Sequence, residues 1–524
     1  MPYLLECTGC HRTTKALRVF RFTDLPGGFN TGPADAPANV HYQPRINVPG
    51  TYRRTLFGLG GRTNGAADVD VGLAELNNVD GKLDEMRLYA FDGYPLAIMS
   101  IESRDAPYTS RRALLTGTME QIEVTRDEVR LKLRSRLAIL DVPIQKLTFA
   151  GTTTDGTKVE AEGGEDLKGA PRPLIFGAPR NVPAILVNRF YNIFAVGQRF
   201  DDVLRVRDKG GVLASSGQDF ATVAALRSAT IAGGQYATAK SLGLIRIGGN
   251  PAGQVTVDAI EGALPAARMA GQVVRRILVG QAGLVAGVDF LDADLAALDA
   301  LAPYEVETWT GTTNPTILET VSAILDSVGA SITPNRLGVF RIGRFSAPAA
   351  APERTYGWIE ILQGDGVGIQ RLATGDDGKG VPTKKITLQH SRNYAVVTEN
   401  DLTGSTITGD AAFVAFAKEE WRQEIAESAA VAEVHKLAPE VTMETRLTSA
   451  TAAKAEADRR LALYGAARDL FQVPVRTADA QGVDLDDVVA LRLDRFGLDE
   501  GRSFTVVGML ESLADDTITL DVWG

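Results

Sequence analysis

Cys7-Thr8-Gly9-Cys10-His11 is the stretch whose residue types and spacing could do chemistry. Two thiols three positions apart, followed by histidine, match the pattern for covalent haem attachment: the thiols add to the porphyrin vinyl groups and the imidazole binds iron. That reaction belongs outside the cytoplasm. The start, Met1-Pro2-Tyr3-Leu4-Leu5-Glu6, has no charged segment leading into a long apolar core, so synthesis in the cytoplasm without export is expected. A thioredoxin-like pair would want its first cysteine at a helix start after a strand, and here a strand follows instead. A metal or Fe–S site at Cys7 and Cys10 stays open as an alternative, with cysteines of several copies converging in an oligomer. The simpler reading is two small side chains in or beside an N-terminal strand, with no cofactor.

The other reactive residues point away from catalysis. His11, His41, His390 and His435 sit in no triad signature, and neither G-x-S-x-G nor H-E-x-x-H occurs. His435, late in a predicted helix, suits the negative end of the helix dipole. The acid pairs Asp201-Asp202, Asp376-Asp377, Asp486-Asp487 and Asp515-Asp516 read as solvated turns; a glycosidase would need two carboxylates facing across a cleft. Gly58-Leu59-Gly60-Gly61-Arg62 lacks the Gly-Lys-Ser/Thr ending of a phosphate loop. Asp365-Gly366 and Asp376 to Gly380 lack the ligand spacing of an EF-hand. No catalytic residue is identified, and the chain is not expected to be an enzyme.

Composition bounds what remains. A length of 524 residues leaves room for three or four domains, and two cysteines exclude a disulfide framework. The net charge of -10 is uneven: residues 475–524 hold eleven acidic and four basic side chains, whereas residues 1–165 are nearly balanced. An acidic end with no basic stripe is unsuited to gripping a phosphate backbone, yet it could surround DNA without holding it.

The elements are mostly strands. Val488–Leu493 and Ser503–Val507 flank a turn, Gly508–Glu511 follows, and Asp515-Asp516 turns the chain into Thr517–Trp523. The same pattern occurs upstream, where Gly117–Glu120 leads through Arg126–Glu128 into Val129–Leu133. One chain therefore holds two copies of a similar β-domain. Met86–Ala90 and Leu96–Ser100, split by Asp92-Gly93-Tyr94-Pro95, predict another hairpin. Residues 152–171 read as a long loop. Helices are predicted around Val273, Val274, Ile277 and Leu278, and from an Asn314 cap with Pro315 in the first turn. A hairpin is expected about Asn335–Gly338, a stiff connector at Ala347–Pro352, and a strand at Lys385–Gln389. Two long helices follow: one from Asp410 to about Lys436 with a Phe413, Ala417, Trp421, Ile425 seam, the other from about Ser449 to Leu470. The fold class is α+β, mostly β and multidomain, in four parts. They are an N-terminal tube-like β-barrel domain (1–165), a β-rich module (166–262), a small α/β module (263–345) and a C-terminal tube-like β-barrel domain with two long helices (353–524).

Several stretches resemble the tail-tip or baseplate hub proteins of long-tailed (siphovirus-like) bacteriophages, prophages and gene transfer agents. They are Tyr42–Ile46, Asn78–Asp84, Ala90–Gly93, Lys168–Gly177 with Arg180–Pro183, Ile245–Gly248, Pro251–Asp258, Arg495–Leu498 and the terminal Val522-Trp523-Gly524. The similarity spans most of the chain and lies in the order of turn and packing signatures. What it implies is a homotrimer at the distal end of the virion tail, whose paired barrels form a pseudo-sixfold ring. Implied partners are the distal tail protein or tail tube protein above and a central fibre or spike below. The tape-measure protein would end in the ring, side fibres would attach outside, and DNA would pass through without sequence-specific binding. A second reading is a cysteine-based metal or redox protein. A third is a carbohydrate-binding tail-tip protein in which Trp309 or Trp358 stacks on sugars.

Overall fold

Tyr3–His11 alternates buried Leu5, Cys7 and Gly9 with half-buried Glu6, Thr8 and Cys10, the period of two that a one-sided core imposes on a strand. In the computed structural model, residues 2–524 are described apart from 66, 159, 350, 365–366 and 377–378. Ala350 of the connector, the Asp365-Gly366 loop, and Asp377 and Gly378 of the acidic loop thus lie outside the described residues. The molecule is mostly β, with 37% strand and 19% helix. No helix among the described residues is long and apolar enough to cross a membrane.

The N-terminal sheet runs in the order Leu17–Thr23, Tyr3–His11, Pro95–Ser100, Arg112–Met119, Glu128–Arg134, Leu73–Asn77. Residues 41–48 then bond to both of its edges. His41–Pro44 lies parallel to Leu17–Thr23, with Gln43 opposite Phe22, and Ile46–Val48 lies antiparallel to Leu73–Asn77, with Ile46 opposite Leu76. One segment spanning both edges makes a nearly closed barrel and leaves little open edge. Its interior holds Leu5, Cys7, Phe22, Leu76, Ile98 and Leu131. The expected hairpin over Met86–Ser100 does not form. Asp84–Leu88 is a short 3-10 turn, and Tyr89–Ala90 and Pro95–Ser100 lie one after the other along the first strand, opposite His11–Cys10 and Cys7–Tyr3. A long partner strand outcompetes the local turn.

The C-terminal barrel repeats this plan. Its strands are ordered Val488–Leu493, Leu498–Ser512, Thr517–Trp523, Leu470–Arg476. Residues 354–362 close it: Thr355 sits parallel opposite Ala490, and Leu362 N–H donates to Pro474 O at 2.8 Å. Four strands correspond in sequence and in space. In each barrel the first pairs with the fourth, the fourth with the third, and the third with the second. Val129 faces Leu76 as Ile518 faces Val475. Even a backbone detail recurs. Gly93, at φ +78°, donates to Met119 O at 2.8 Å, and Asp486, at φ +72°, donates to Val506 O at 2.9 Å.

Between them, a third sheet orders Val255–Ile260, Asp202–Asp208, Gly211–Asp219, Gln235–Ala239, Leu244–Ile247 and Ile193–Ala195. It closes through residues 182–188, with Val182 opposite Val257 and Ile185 opposite Ala195. The helices Ala270–Gly280, Asp292–Leu301 and Ile317–Asp326 pack with the hairpin Ala330–Pro334/Phe340–Arg344. Their core also takes in Leu137 and Ile144 from upstream and Leu447 and Ala453 from downstream, which makes it the centre of the molecule. The cap of Ile317–Asp326 is Thr316, not Asn314: Thr316 Oγ1 accepts from Glu319 N–H at 3.1 Å and Glu319 answers. Asn314 instead adopts φ +51° and accepts from Gln145 N–H.

Of the two long helices expected near the C-terminus, one is broken. Helix Ala411–Lys418 ends where Arg422 reaches back to the carbonyls of Phe416 and Glu419, over the Phe416 ring at 3.8 Å. Arg422–Glu427 is then a strand against Lys385–His390, which Glu440–Glu444 flanks in parallel on the other side. Ser428 caps a short second helix, Ala429–Val434. Sheet pairing overrides helix propensity here. Phe413 and Ala417 are buried as expected, while Trp421 and Ile425 leave the helix. The other helix, Ala450–Tyr464, starts where expected, with Ser449 as its cap, stops short of Leu470 and packs its Ala457 on Ile386, Leu388 and Ala426.

Candidate functional site

Cys7 and Cys10, three positions apart on one strand, point to opposite faces of the sheet. Cys7 is fully buried in the barrel interior, where desolvation, aided by the Glu6 carboxylate, raises its thiol well above the ordinary value. One ion within one chain is therefore beyond the reach of both sulfurs. Among the described residues, no cluster of three or more His, Cys, Asp and Glu could hold a metal ion. His11 caps a turn, its Nδ1 accepting from Thr13 and Thr14 N–H. His41 pairs with Asn30, His390 is buried beside Ser391, and His435 follows Ala429–Val434. Asp201 accepts from Gly262 N–H and Asp202 pairs with Lys240. Trp309 donates its indole N–H to Val196 O at 3.0 Å and meets Tyr394 edge-on, while Trp358, 38% exposed, donates to Asp494 at 2.7 Å.

The charges that the fold does bring together lie where its parts meet. Thr51–Thr55 and Asp68–Val71 form a hairpin that crosses from the N-terminal segment onto strand Leu498–Ser512, with Met509 opposite Arg54. Arg54 is buried between Asp484 at 2.7 Å and Glu511 at 3.3 Å, and Arg336 from the tip of the α/β hairpin reaches the same Glu511 at 3.3 Å. Three parts of the chain share this cluster. The glycine-rich 58–62 stretch is the loop of that hairpin, and the neighbouring Thr63 N–H donates to Asp376 at 3.1 Å.

A second cluster centres on Glu456, which has no exposure. Arg460 lies 2.8 Å away, Arg459 2.7 Å, and Arg344 of the α/β module 2.6 Å; Arg460 also bonds the Asp326 carbonyl. Burial alone would raise the Glu456 carboxyl, but the three guanidiniums outweigh it and hold it at about 2. A third junction ties the middle barrel to the segment before Arg422. Asn181 Nδ2 donates to Asn393 Oδ1 at 2.8 Å, Asn393 Nδ2 to Ala417 O at 2.9 Å, and Arg207, paired with Asp258, lies over the Phe413 ring at 4.1 Å. Beside it, burial pushes the Glu307 carboxyl up to about 7, against the pull of Arg446 and Arg392.

These clusters contain no nucleophile matched to a base. Their chemistry is that of fixed geometry, because a buried charge network tolerates few relative positions of the parts it joins. Sequence reasoning missed all of them. The only available signal was arginine and glutamate three or four apart, as in Glu456, Arg459 and Arg460, a spacing common on exposed helices.

No family profile and no curated protein matches the chain. Among solved structures it is similar to the 43 kDa tail protein of prophage MuSo2 from Shewanella oneidensis, at 10% identity and a TM-score of 0.39, covering 100% of this chain and 96% of that one. It is also similar to the tail protein from Neisseria meningitidis MC58, at 10% identity and a TM-score of 0.37, with 100% and 96% covered. A chain of a native gene transfer agent virion is similar over 68% of this chain and 84% of that one, at 15% identity and a TM-score of 0.39. The structural neighbours include phage and prophage tail proteins, a gene transfer agent virion chain, phage baseplate chains and a component of the E. coli type VI secretion system.

Proposed function

We propose that this chain is a structural virion protein, the trimeric hub of a phage-type tail tip. Its two terminal barrels would supply six related faces in a trimer, to mate a sixfold tail tube or distal tail protein with a threefold fibre or spike. The observation that supports this is the duplication: two barrels of one strand order, closed by one device, in a single chain. In this reading the tape-measure protein ends within the ring and DNA passes through it on ejection. The acidic residues of 475–524 help keep the wall from binding it. The buried cluster of Arg54, Asp484 and Glu511 would serve this mechanically by holding the two terminal barrels of one subunit in fixed register. Side fibres would attach to the middle barrel.

Native mass spectrometry of the purified chain tests the assembly. The expected species is three copies of the 55.9 kDa chain; a monomer at high concentration contradicts the proposal. A cysteine-centred cofactor would show as visible absorbance or bound iron that Cys10→Ser removes. A sugar-binding role would show as glycan binding lost in Trp358→Ala.

A further inference from the structure

The two terminal barrels are joined by strand addition, and among the described residues only one of two equivalent acceptor edges is filled within the chain. Strand Leu498–Ser512 runs on beyond its neighbour Val488–Leu493. Thr51–Thr55 takes the extra length, with Gly508 opposite Thr55 and Ser512 opposite Thr51. In the N-terminal barrel the equivalent strand is Arg112–Met119, continued to Val124. Glu120 N–H donates to Lys132 O at 2.9 Å, and Glu123–Val124 pairs with Val129–Arg130. The two extensions begin at matching points: Gly93 and Tyr94 bond Met119 as Asp486 and Asp487 bond Val506. Yet among the described residues Glu123–Val124 pairs on one side only. Glu120, Gln121 and Glu123 are exposed, and Val124 is 39% exposed.

We infer that a second copy of this chain fills that edge, laying its strand Arg422–Glu427 along Glu120–Val124; this rests on the hub reading. Inside one chain the joint is head-to-tail: the N-terminal barrel donates and the C-terminal barrel accepts. A heterologous joint that repeats between subunits closes into a ring when its rotation divides a full turn, as the threefold hub requires. The donor is placed by the same correspondence. In the N-terminal barrel the chain leaves its closing segment, 41–48, builds the donor hairpin and returns as Leu73–Asn77. In the C-terminal barrel it leaves 354–362, builds the three-stranded sheet and helix Ala450–Tyr464, and returns as Leu470–Arg476. Among the described residues that sheet has two open outer strands, Arg422–Glu427 and Glu440–Glu444. Apolar exposure selects the first: Ile425 is 42% exposed, whereas Val441 and Met443 of the other strand are half-buried.

The test places the photo-crosslinker benzoylphenylalanine at position 121 of the full chain and reads the oligomer by native mass and the crosslink by peptide mapping. A trimer with intersubunit links from 121 into peptides containing 422–427 is expected, and Ile425→Glu should cut the yield at least tenfold while leaving the melting temperature unchanged. A trimer whose position 121 links elsewhere, or not at all, overturns this joint and leaves the hub reading standing. A chain that stays monomeric overturns both.

Discussion

Glu456 is buried among three guanidiniums drawn from two parts of the chain, so its removal takes the shared carboxylate from Arg344 and Arg459 and leaves Arg460 with Asp326 at 3.8 Å. Glu456→Gln is expected to cost about 3–5 kcal/mol, measured as a lowered urea midpoint at neutral pH. Its carboxyl sits below the ordinary 4.5, at about 2, so its contribution is full above pH 4.5 and is lost as pH falls towards 2. The acid sensitivity of that window should flatten in the variant. Glu307 carries the opposite sign. With its folded carboxyl raised to about 7 from 4.5, it favours the folded state fully below pH 4.5, and that advantage is lost as pH rises through 7. Glu307→Gln should therefore gain stability over the parent at pH 8 and show little difference near pH 4.5. Neither residue was legible in sequence, because a buried glutamate and a solvated one share the same letters and local spacing. Cys7 was half legible. A place in or beside an N-terminal strand was expected for it, whereas the divergence from Cys10 needed the face assignment that only a core provides.

At the scale of elements, the correspondence between Gly93 and Asp486 gives a paired prediction. Both occupy the left-handed region at the same point of equivalent barrels, where only glycine is unstrained. Gly93→Val should cost about 1–2 kcal/mol from backbone conformation alone, whereas Asp486→Gly should leave the melting temperature equal or higher. The terminal hairpins were readable because residues such as Leu131 and Leu133, or Ile518 and Leu520, alternate with polar neighbours. The closing segments were not. Arg354–Tyr356 and Ile46–Val48 are three residues each, too short for any periodicity, and they matter only through edges far away in sequence. The crossing of Thr51–Thr55 onto Gly508–Ser512 was hidden for the same reason. The helix expected from Asp410 to Lys436 failed because Phe413, Ala417 and Ile425 keep helical spacing across a break that Arg422 and its partner strand enforce.

At the scale of the molecule, three barrels, each closed by one short segment, accompany a helical core that takes in residues from upstream and downstream of its own module. The duplication anticipated from two hairpins extends to four strands, a closing segment and a left-handed corner, which is more than a shared turn motif would produce. On the proposed function, a body whose halves match in this way would present the same surface twice per subunit. Electron-microscopic reconstruction of the purified assembly tests that most directly. Six barrels of one strand order, alternating N-terminal and C-terminal around a central channel with exact threefold symmetry, are the predicted result. A particle in which the two terminal barrels lie at different heights, or do not share an axis, would contradict it.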